Sequence, residues 1–173
     1  MTLSAPVVPS FPAGYGPLPA DFNNWVQAPL AALTSRVVFR AVKTSSQTLA
    51  AGNNTIQFNS ILEDPYSGWN PSTFTWTPPA AWSGTYVVRA GIVTGGTAGG
   101  RIGVLVGLNG SALYTLDTIW TSTSVANSAC GEAPVQLVGG QDQVSVIGYS
   151  TVAVNVGTLA GEECTCEITW YSN

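Results

Sequence analysis

The chain has 173 residues, with 5 Lys+Arg against 9 Asp+Glu, no His and a formal net charge of −4. Charged residues make up 8% of it, against about 25% in an ordinary soluble domain. Without His there is no Ser–His–Asp triad, no Cys–His pair and no His-ligated metal, and so few cations supply no basic patch for nucleic acid.

The first residues, Met1 to Pro6, have no positive segment and no long apolar run, so no signal peptide is expected. No stretch is long and apolar enough to suggest a membrane span. Residues 1–20 carry Pro6, Pro9, Pro12, Pro17 and Pro19 with Gly14 and Gly16, which predicts an extended arm. A plain spacer has no need of Val7, Val8, Phe11, Tyr15 and Leu18. These side chains either fold back on their own domain or attach the arm to a neighbouring subunit or larger assembly; attachment is the expectation taken forward.

Residues 21–35 predict a short helix and a linker. Asp21 is its N-cap, and Phe22, Trp25, Val26, Leu30 and Leu33 form an apolar stripe at helical spacing. Pro29 predicts a kink or break after Gln27 or Ala28. Phe22, Trp25 and Leu30 join the arm's apolar residues as candidate assembly contacts.

Over residues 36–173 the period changes to two. Val37–Val42, Thr55–Ile61, Thr73–Thr77, Thr85–Thr94, Arg101–Leu108, Ser111–Trp120, Val135–Val138, Gln143–Tyr149, Val152–Val156 and Thr165–Tyr171 read as strands. Asn109-Gly110 predicts a two-residue hairpin turn, and Gly139-Gly140 another reversal. The Gly-rich loop from Thr94 to Gly100 lacks the Gly-Lys-Ser/Thr ending and the following helix of a phosphate loop. About ten short strands with such turns predict an all-β protein, an antiparallel jelly-roll sandwich. In Thr85–Thr94, both alternating sets contain apolar residues, so both faces are expected to be covered, one of them by a partner.

Chemistry has few candidates. Glu63-Asp64 and Glu162-Glu163 are sequence neighbours, so on a strand their carboxylates diverge, whereas glycosidase chemistry needs two facing one sugar. They are read as solvated loop acids, with a cation at Glu63/Asp64 as the minor alternative. Cys164 and Cys166 share one strand face and suit a disulfide poorly; with Cys130 they are read as reduced core thiols. No catalytic residue, cofactor or metal site is expected. Trp76, Trp120 and Trp170 are assigned to core or interface. Trp69 and Trp82 adjoin Gly and Pro turns, so they are the candidates for an exposed, glycan-stacking aromatic.

Several segments carry a likeness in order: Val42-Lys43-Thr44-Ser45-Ser46-Gln47-Thr48-Leu49, then Asn54-Thr55-Ile56-Gln57-Phe58, then Glu63-Asp64-Pro65-Tyr66-Ser67-Gly68-Trp69. Phe74-Thr75-Trp76-Thr77-Pro78 leads to Trp82-Ser83-Gly84-Thr85-Tyr86-Val87-Val88, followed by Arg101-Ile102-Gly103-Val104, Leu108-Asn109-Gly110 and Asp142-Gln143-Val144-Ser145-Val146-Ile147-Gly148-Tyr149. Over residues 21–171 this resembles the jelly roll of the complement globular-head and tumour necrosis factor superfamily, in the version used by structural proteins of tailed bacteriophages. Phe22-Asn23-Asn24-Trp25-Val26 occupies the place of the short helix seen there. The loop Thr121–Cys130 and the Cys-x-Cys final strand depart from the pattern. The resemblance implies a threefold homotrimer and a non-enzymatic virion protein, assembled in the host cytoplasm. It would decorate the capsid or sit on the tail, with the major capsid protein or a tail protein as partner, and no nucleic acid or membrane. The alternative is a receptor- or glycan-binding head of a tail or fibre protein.

Overall fold

A computed structural model describes residues 37–95, 99–121, 126–157 and 163–172. The arm expected over 1–20 and the helix and linker expected over 21–35 lie outside the described residues, and with them Val7, Val8, Phe11, Tyr15, Leu18, Phe22, Trp25 and Leu30. Thirteen strands occur among the described residues: β1 (Val37–Lys43), β2 (Gln47–Leu49), β3 (Gly52–Thr55), β4 (Ser60–Glu63), β5 (Trp69–Asn70), β6 (Thr75–Trp76), β7 (Gly84–Thr94), β8 (Arg101–Leu108), β9 (Ser111–Trp120), β10 (Asn127–Leu137), β11 (Val144–Ser150), β12 (Val154–Val156) and β13 (Cys164–Ser172).

They form two antiparallel sheets. Sheet A is seven-stranded, ordered β2-β12-β7-β13-β1-β4, with β10 also on β7. Residues 85–91 of β7 pair with both β13 and β10, so those two strands flank it and β10 ends the sheet. Sheet B is six-stranded, ordered β5-β6-β11-β8-β9, with β3 also on β11. The described residues are all-β, as the patterning over 36–173 predicts.

The core lies between the sheets, because alternate side chains of each strand point inward. From sheet A come Tyr86, Val88, Ala90 and Ile92 of β7 and Cys164, Cys166 and Ile168 of β13; from sheet B come Ile102, Val104 and Val106 of β8 and Val144 and Val146 of β11. Aromatic contacts bridge the layers. Trp76 lies 6.2 Å from Phe39 and 5.8 Å edge-on from Tyr86.

The Asn109-Gly110 turn behaves as expected. Both residues have positive φ, 51° and 82°, the pair of values a tight two-residue hairpin requires. Asn109 also braces the neighbouring loop, donating from Nδ2 to Asp142 at 2.8 Å and accepting from Gln143 N at 2.9 Å. Asp142 in turn accepts from Val138 N at 2.7 Å. Asn109, and then Val138, hold its carboxyl below the ordinary value of 3.8.

Two strand expectations change most. The strand expected at Thr55–Ile61 is divided between β3 and β4, since the Ile56–Asn59 stretch carries Ile56 and Phe58 into the core outside either ladder. The strand expected at Val135–Val138 is the end of the longer β10, whose earlier residues are the small Ala129, Cys130, Gly131 and Ala133 with Pro134. Those types have low strand propensity, and Pro134 is accommodated because β10 ends the sheet. The short strands β2 and β5 are too brief to show a period.

Candidate functional site

The Glu63–Trp69 loop is built around one carboxylate. Asp64 Oδ1 accepts from Gly68 N at 3.0 Å and Trp76 Nε1 at 3.3 Å, and Oδ2 accepts from Trp69 N at 2.9 Å. Gly68 is required there, because a Cβ would stand 2.4 Å from Thr77 O and 2.6 Å from Trp76 Nε1. Asp64 is therefore a loop organiser, where the sequence reading expected a solvated acid. Among the described residues no group of three or more Cys, Asp or Glu stands close enough to hold a metal ion.

This loop also settles where Trp69 sits. Its ring stacks on Phe39 at 5.1 Å and 21°, half-buried against the core. Trp82 is similarly half-buried, between Tyr66 at 4.6 Å and Trp170 at 5.2 Å, and its carbonyl accepts from Tyr86 Oη at 2.6 Å. Both of these candidate exposed aromatics thus have rings packed partly against the core. Among the described residues the tryptophan most open to solvent is Trp120, 76% exposed at the end of β9.

The outer face of sheet A holds a feature that the sequence does not display. Register places Glu63 opposite Arg40, Arg40 opposite Glu167, Glu167 opposite Arg89 and Arg89 opposite Glu132. These five residues make one transverse row across β4, β1, β13, β7 and β10, with signs alternating. Arg40 reaches Glu63 at 3.3 Å and Glu167 at 2.6 Å; Arg89 reaches Glu132 at 2.6 Å and Glu167 at 3.8 Å. Glu167, at the centre, is the least exposed member, its side chain 23% accessible. Hydrogen bonding to Glu167 raises the pKa of Arg40, and hydrogen bonding to Glu132 raises that of Arg89. Beside the row lies a 210 Å³ depression lined by Arg40, Val42, Arg89, Thr165, Cys166 and Glu167, among others.

The edge strand of sheet B carries exposed apolar side chains on both of its faces, Tyr114 opposite the inward Val106 and Trp120 opposite the outward Arg101. Strand β9 ends sheet B, and β10, the end of sheet A, lies next to it: Cys130 N donates to Asp117 at 3.2 Å. Along β9, Leu113 is 42%, Tyr114 46% and Trp120 76% exposed. In an isolated chain these side chains face water.

The cysteines divide. Cys164 and Cys166 are buried, as expected for core thiols, and desolvation pushes Cys166 up to about 12. Cys130 instead is exposed, because β10 turns it onto the outer face of sheet A opposite Gly91.

No family model matches the chain, and no curated sequence matches it. Solved structures do. The globular domain of zebrafish complement 1qA protein aligns over 80% of this chain and 100% of its own, at 17% identity and a TM-score of 0.57. Murine APRIL at pH 8.5 aligns over 77% of this chain and 98% of its own, at 13% identity and a TM-score of 0.54. Murine APRIL at pH 8.0 gives 13% identity and a TM-score of 0.56 over the same shares. At such identities the likeness is one of fold, and the fold is the jelly roll of the complement globular head and tumour necrosis factor type.

Sequence reasoning missed the row of charges, since no spacing along the chain reveals which strands become neighbours. Alternation does mark Arg40, Arg89 and Glu167 as outward residues of their strands. Only the order of the strands turns them into one row.

Proposed function

We propose that the chain is a non-enzymatic structural subunit that forms a homotrimer through its jelly roll. In this reading the exposed edge of β9 in one copy lies on the outer face of sheet A in the next. The observation that carries it is that both surfaces are prepared for covering. Leu113, Tyr114 and Trp120 gain by leaving water. The charges of sheet A already have partners within their own chain, so covering them strands no lone ion. Threefold closure follows the family resemblance, and a head-to-tail contact of two different surfaces closes into a ring.

On the same resemblance we assign the trimer to a tailed-phage virion, as a capsid decoration or tail accessory protein. The Pro-rich arm, with Val7, Phe11 and Tyr15 among its apolar residues, attaches it to the major capsid protein or a tail protein. A sparsely charged chain suits dense packing of identical copies, which repel one another less.

Light scattering on the eluting full chain tests the assembly: a mass three times that of the chain is expected, and a monomer at micromolar concentration overturns it. Removal of residues 1–20 tests attachment. The truncated chain should still form trimers but be lost from purified particles; unchanged copy number overturns the arm's role.

A further inference from the structure

The outer face of sheet B carries a cleft of 320 Å³ lined by Asn53, Arg101, Leu105, Thr115, Thr118 and Tyr149. The ladder explains why a hollow forms there. One transverse row runs Asn53 on β3, Tyr149 on β11, Gly103 on β8 and Thr118 on β9. Its third position has no side chain, and Thr118 leans its methyl to within 2.6 Å of where a Cβ of Gly103 would stand. The row therefore dips at Gly103, where the Thr118 methyl lies low over the backbone. Leu105 and Arg101 lie two residues either side of Gly103, hence on the same face. The register of β8 on β9 shifts between Val104 and Leu105, so Leu105 meets Thr115 while Gly103 meets Thr118. This bulge lets two threonines three residues apart both line the cleft.

The lining is chemically specific. Arg101 donates from Nη2 to Thr118 Oγ1 at 2.8 Å, which fixes the guanidinium at the rim. Arg40 and Arg89 each have two carboxylates, whereas Arg101 has no ion pair among the described residues. A guanidinium offers five donors in a planar fork matched to a carboxylate. Tyr149 and Leu105 add apolar surface, and Asn53, Thr115 and Thr118 add neutral donors and acceptors. The volume lies at the lower end of small-molecule sites, about 300–1,000 Å³.

We propose that this cleft binds one carboxylated pyranose unit, of the uronic or sialic acid type. Its carboxylate pairs with Arg101, its ring face lies on Tyr149 and Leu105, and its hydroxyls are held by Asn53, Thr115 and Thr118. Each feature of the lining has a counterpart in such a sugar. A bare anion would leave the apolar wall and the amide unused, and a neutral sugar would leave Arg101 unpaired. The cleft opens on the outer face of sheet B, whereas the assembly reading covers the outer face of sheet A; the two share strand β9, where Trp120 stands opposite Arg101.

The test is a titration of the full chain followed by amide NMR, with methyl glucuronide, a methyl sialoside, methyl glucoside, acetate and sulfate. At least one of the two acidic sugars should bind saturably and shift the amides of Tyr149, Gly103 and Thr118. Methyl glucoside should bind about tenfold or more weaker, the worth of one charge-assisted pair. Arg101→Gln should reduce the acidic sugar to the level of the glucoside, with the trimer mass and melting point unchanged. Tyr149→Ala should weaken both sugars. No saturable binding of either acidic sugar overturns the proposal. So does a glucoside that binds as tightly as the better of the two acidic sugars, or acetate or sulfate binding as tightly as that sugar at the same amides. If Arg101→Gln disturbs folding, Asn53→Ala serves instead: it should weaken the acidic sugar, and unchanged affinity overturns the assignment.

Discussion

The two outer faces of this sandwich handle charge in opposite ways. Sheet A gathers two of the chain's arginines and three of its acids into one row and gives each of them an opposite charge in place. Sheet B presents a single charge at its cleft, Arg101, held by a hydroxyl and not by an acid. The first arrangement suits a face that becomes covered, because a desolvated ion without a partner costs several kcal/mol. The second suits a face that stays in water and meets a ligand supplying the missing anion. Their glycines differ too. On sheet A, a Cβ at Gly91 would come no nearer than 3.4 Å to Cys130 or Thr165; on sheet B, one at Gly107 would stand 2.3 Å from Ser145 Oγ and 2.8 Å from Ile147 Cδ1. Side chains have grown over the bare positions of sheet B and not over that of sheet A.

The largest break in this comparison should come from Glu167→Lys. The change places a third cation between Arg40 and Arg89 and leaves both with only their outer acids. In an assembled trimer this should cost about 3–5 kcal/mol per interface, as for an uncompensated buried charge. Light scattering should show monomers at micromolar concentration, while Arg101→Gln leaves the mass unchanged. A trimer that survives Glu167→Lys would mean that the outer face of sheet A stays in solvent.

Next in size is the contrast between glycines. Gly107→Ala must displace Ile147 and Ser145, and overpacking of this kind costs about 1–3 kcal/mol. Gly91→Ala has room and should be neutral or stabilising by up to about 1 kcal/mol, since the unfolded chain loses freedom. Thermal melts of the two variants measure this directly. Equal losses would remove the distinction drawn between the faces.

Much of the fold was legible because the strands that carry the core alternate plainly. In β7, Tyr86, Val88, Ala90 and Ile92 all face in, and in β8, Ile102, Val104 and Val106 do. The hairpin at Asn109-Gly110 was legible because only such residues tolerate two positive φ values in succession. Strand β10 was not, because a terminal strand next to another edge can be built of Ala, Gly, Cys and Pro. The candidate surfaces were the least legible part. Glu132 lies 43 residues from Arg89 and Arg40 lies 127 from Glu167 in the chain, and only cross-strand register unites them. Trp69 and Trp82 misled for a related reason. A turn next to a tryptophan says that the backbone is at the surface, but the ring can still lie back on Phe39 or Trp170. Gly103 was the one local signal of the cleft, since a glycine inside a strand marks a close approach of neighbours.

What lies between the faces should respond to pH differently from either. Burial, with Tyr66 adding, pushes the Tyr86 phenol from 10.0 to about 12. The unfolded chain ionises first, so its stability contribution is whole below 10.0 and disappears as pH rises towards about 12. Tyr86→Phe also loses the hydrogen bond to the Trp82 carbonyl, worth about 1 kcal/mol. Its melting point should therefore lie below that of the unchanged chain at neutral pH and meet it in alkali. Curves that stay parallel would place the alkaline transition elsewhere.

The smallest effect, and the sharpest on where sheet A is covered, is expected at the end of the charge row. Glu132 and Arg89 form the most exposed pair, with side chains 54% and 63% accessible in the single chain. An exposed ion pair contributes only about 0.2–1 kcal/mol, and salt weakens it further. Glu132→Gln should therefore barely move the melting point of a monomeric form that keeps Glu167. In the trimer the outcome depends on how far the neighbour's β9 edge reaches. If it stops at β13 and β7, Glu132 remains in solvent, and the loss stays within about 1 kcal/mol and fades in salt. If it extends over β10, Arg89 loses its closest partner in a place without water, and the loss exceeds that range and persists in salt. Melts at low and high ionic strength separate these cases, and so map the edge of the covered area from one substitution.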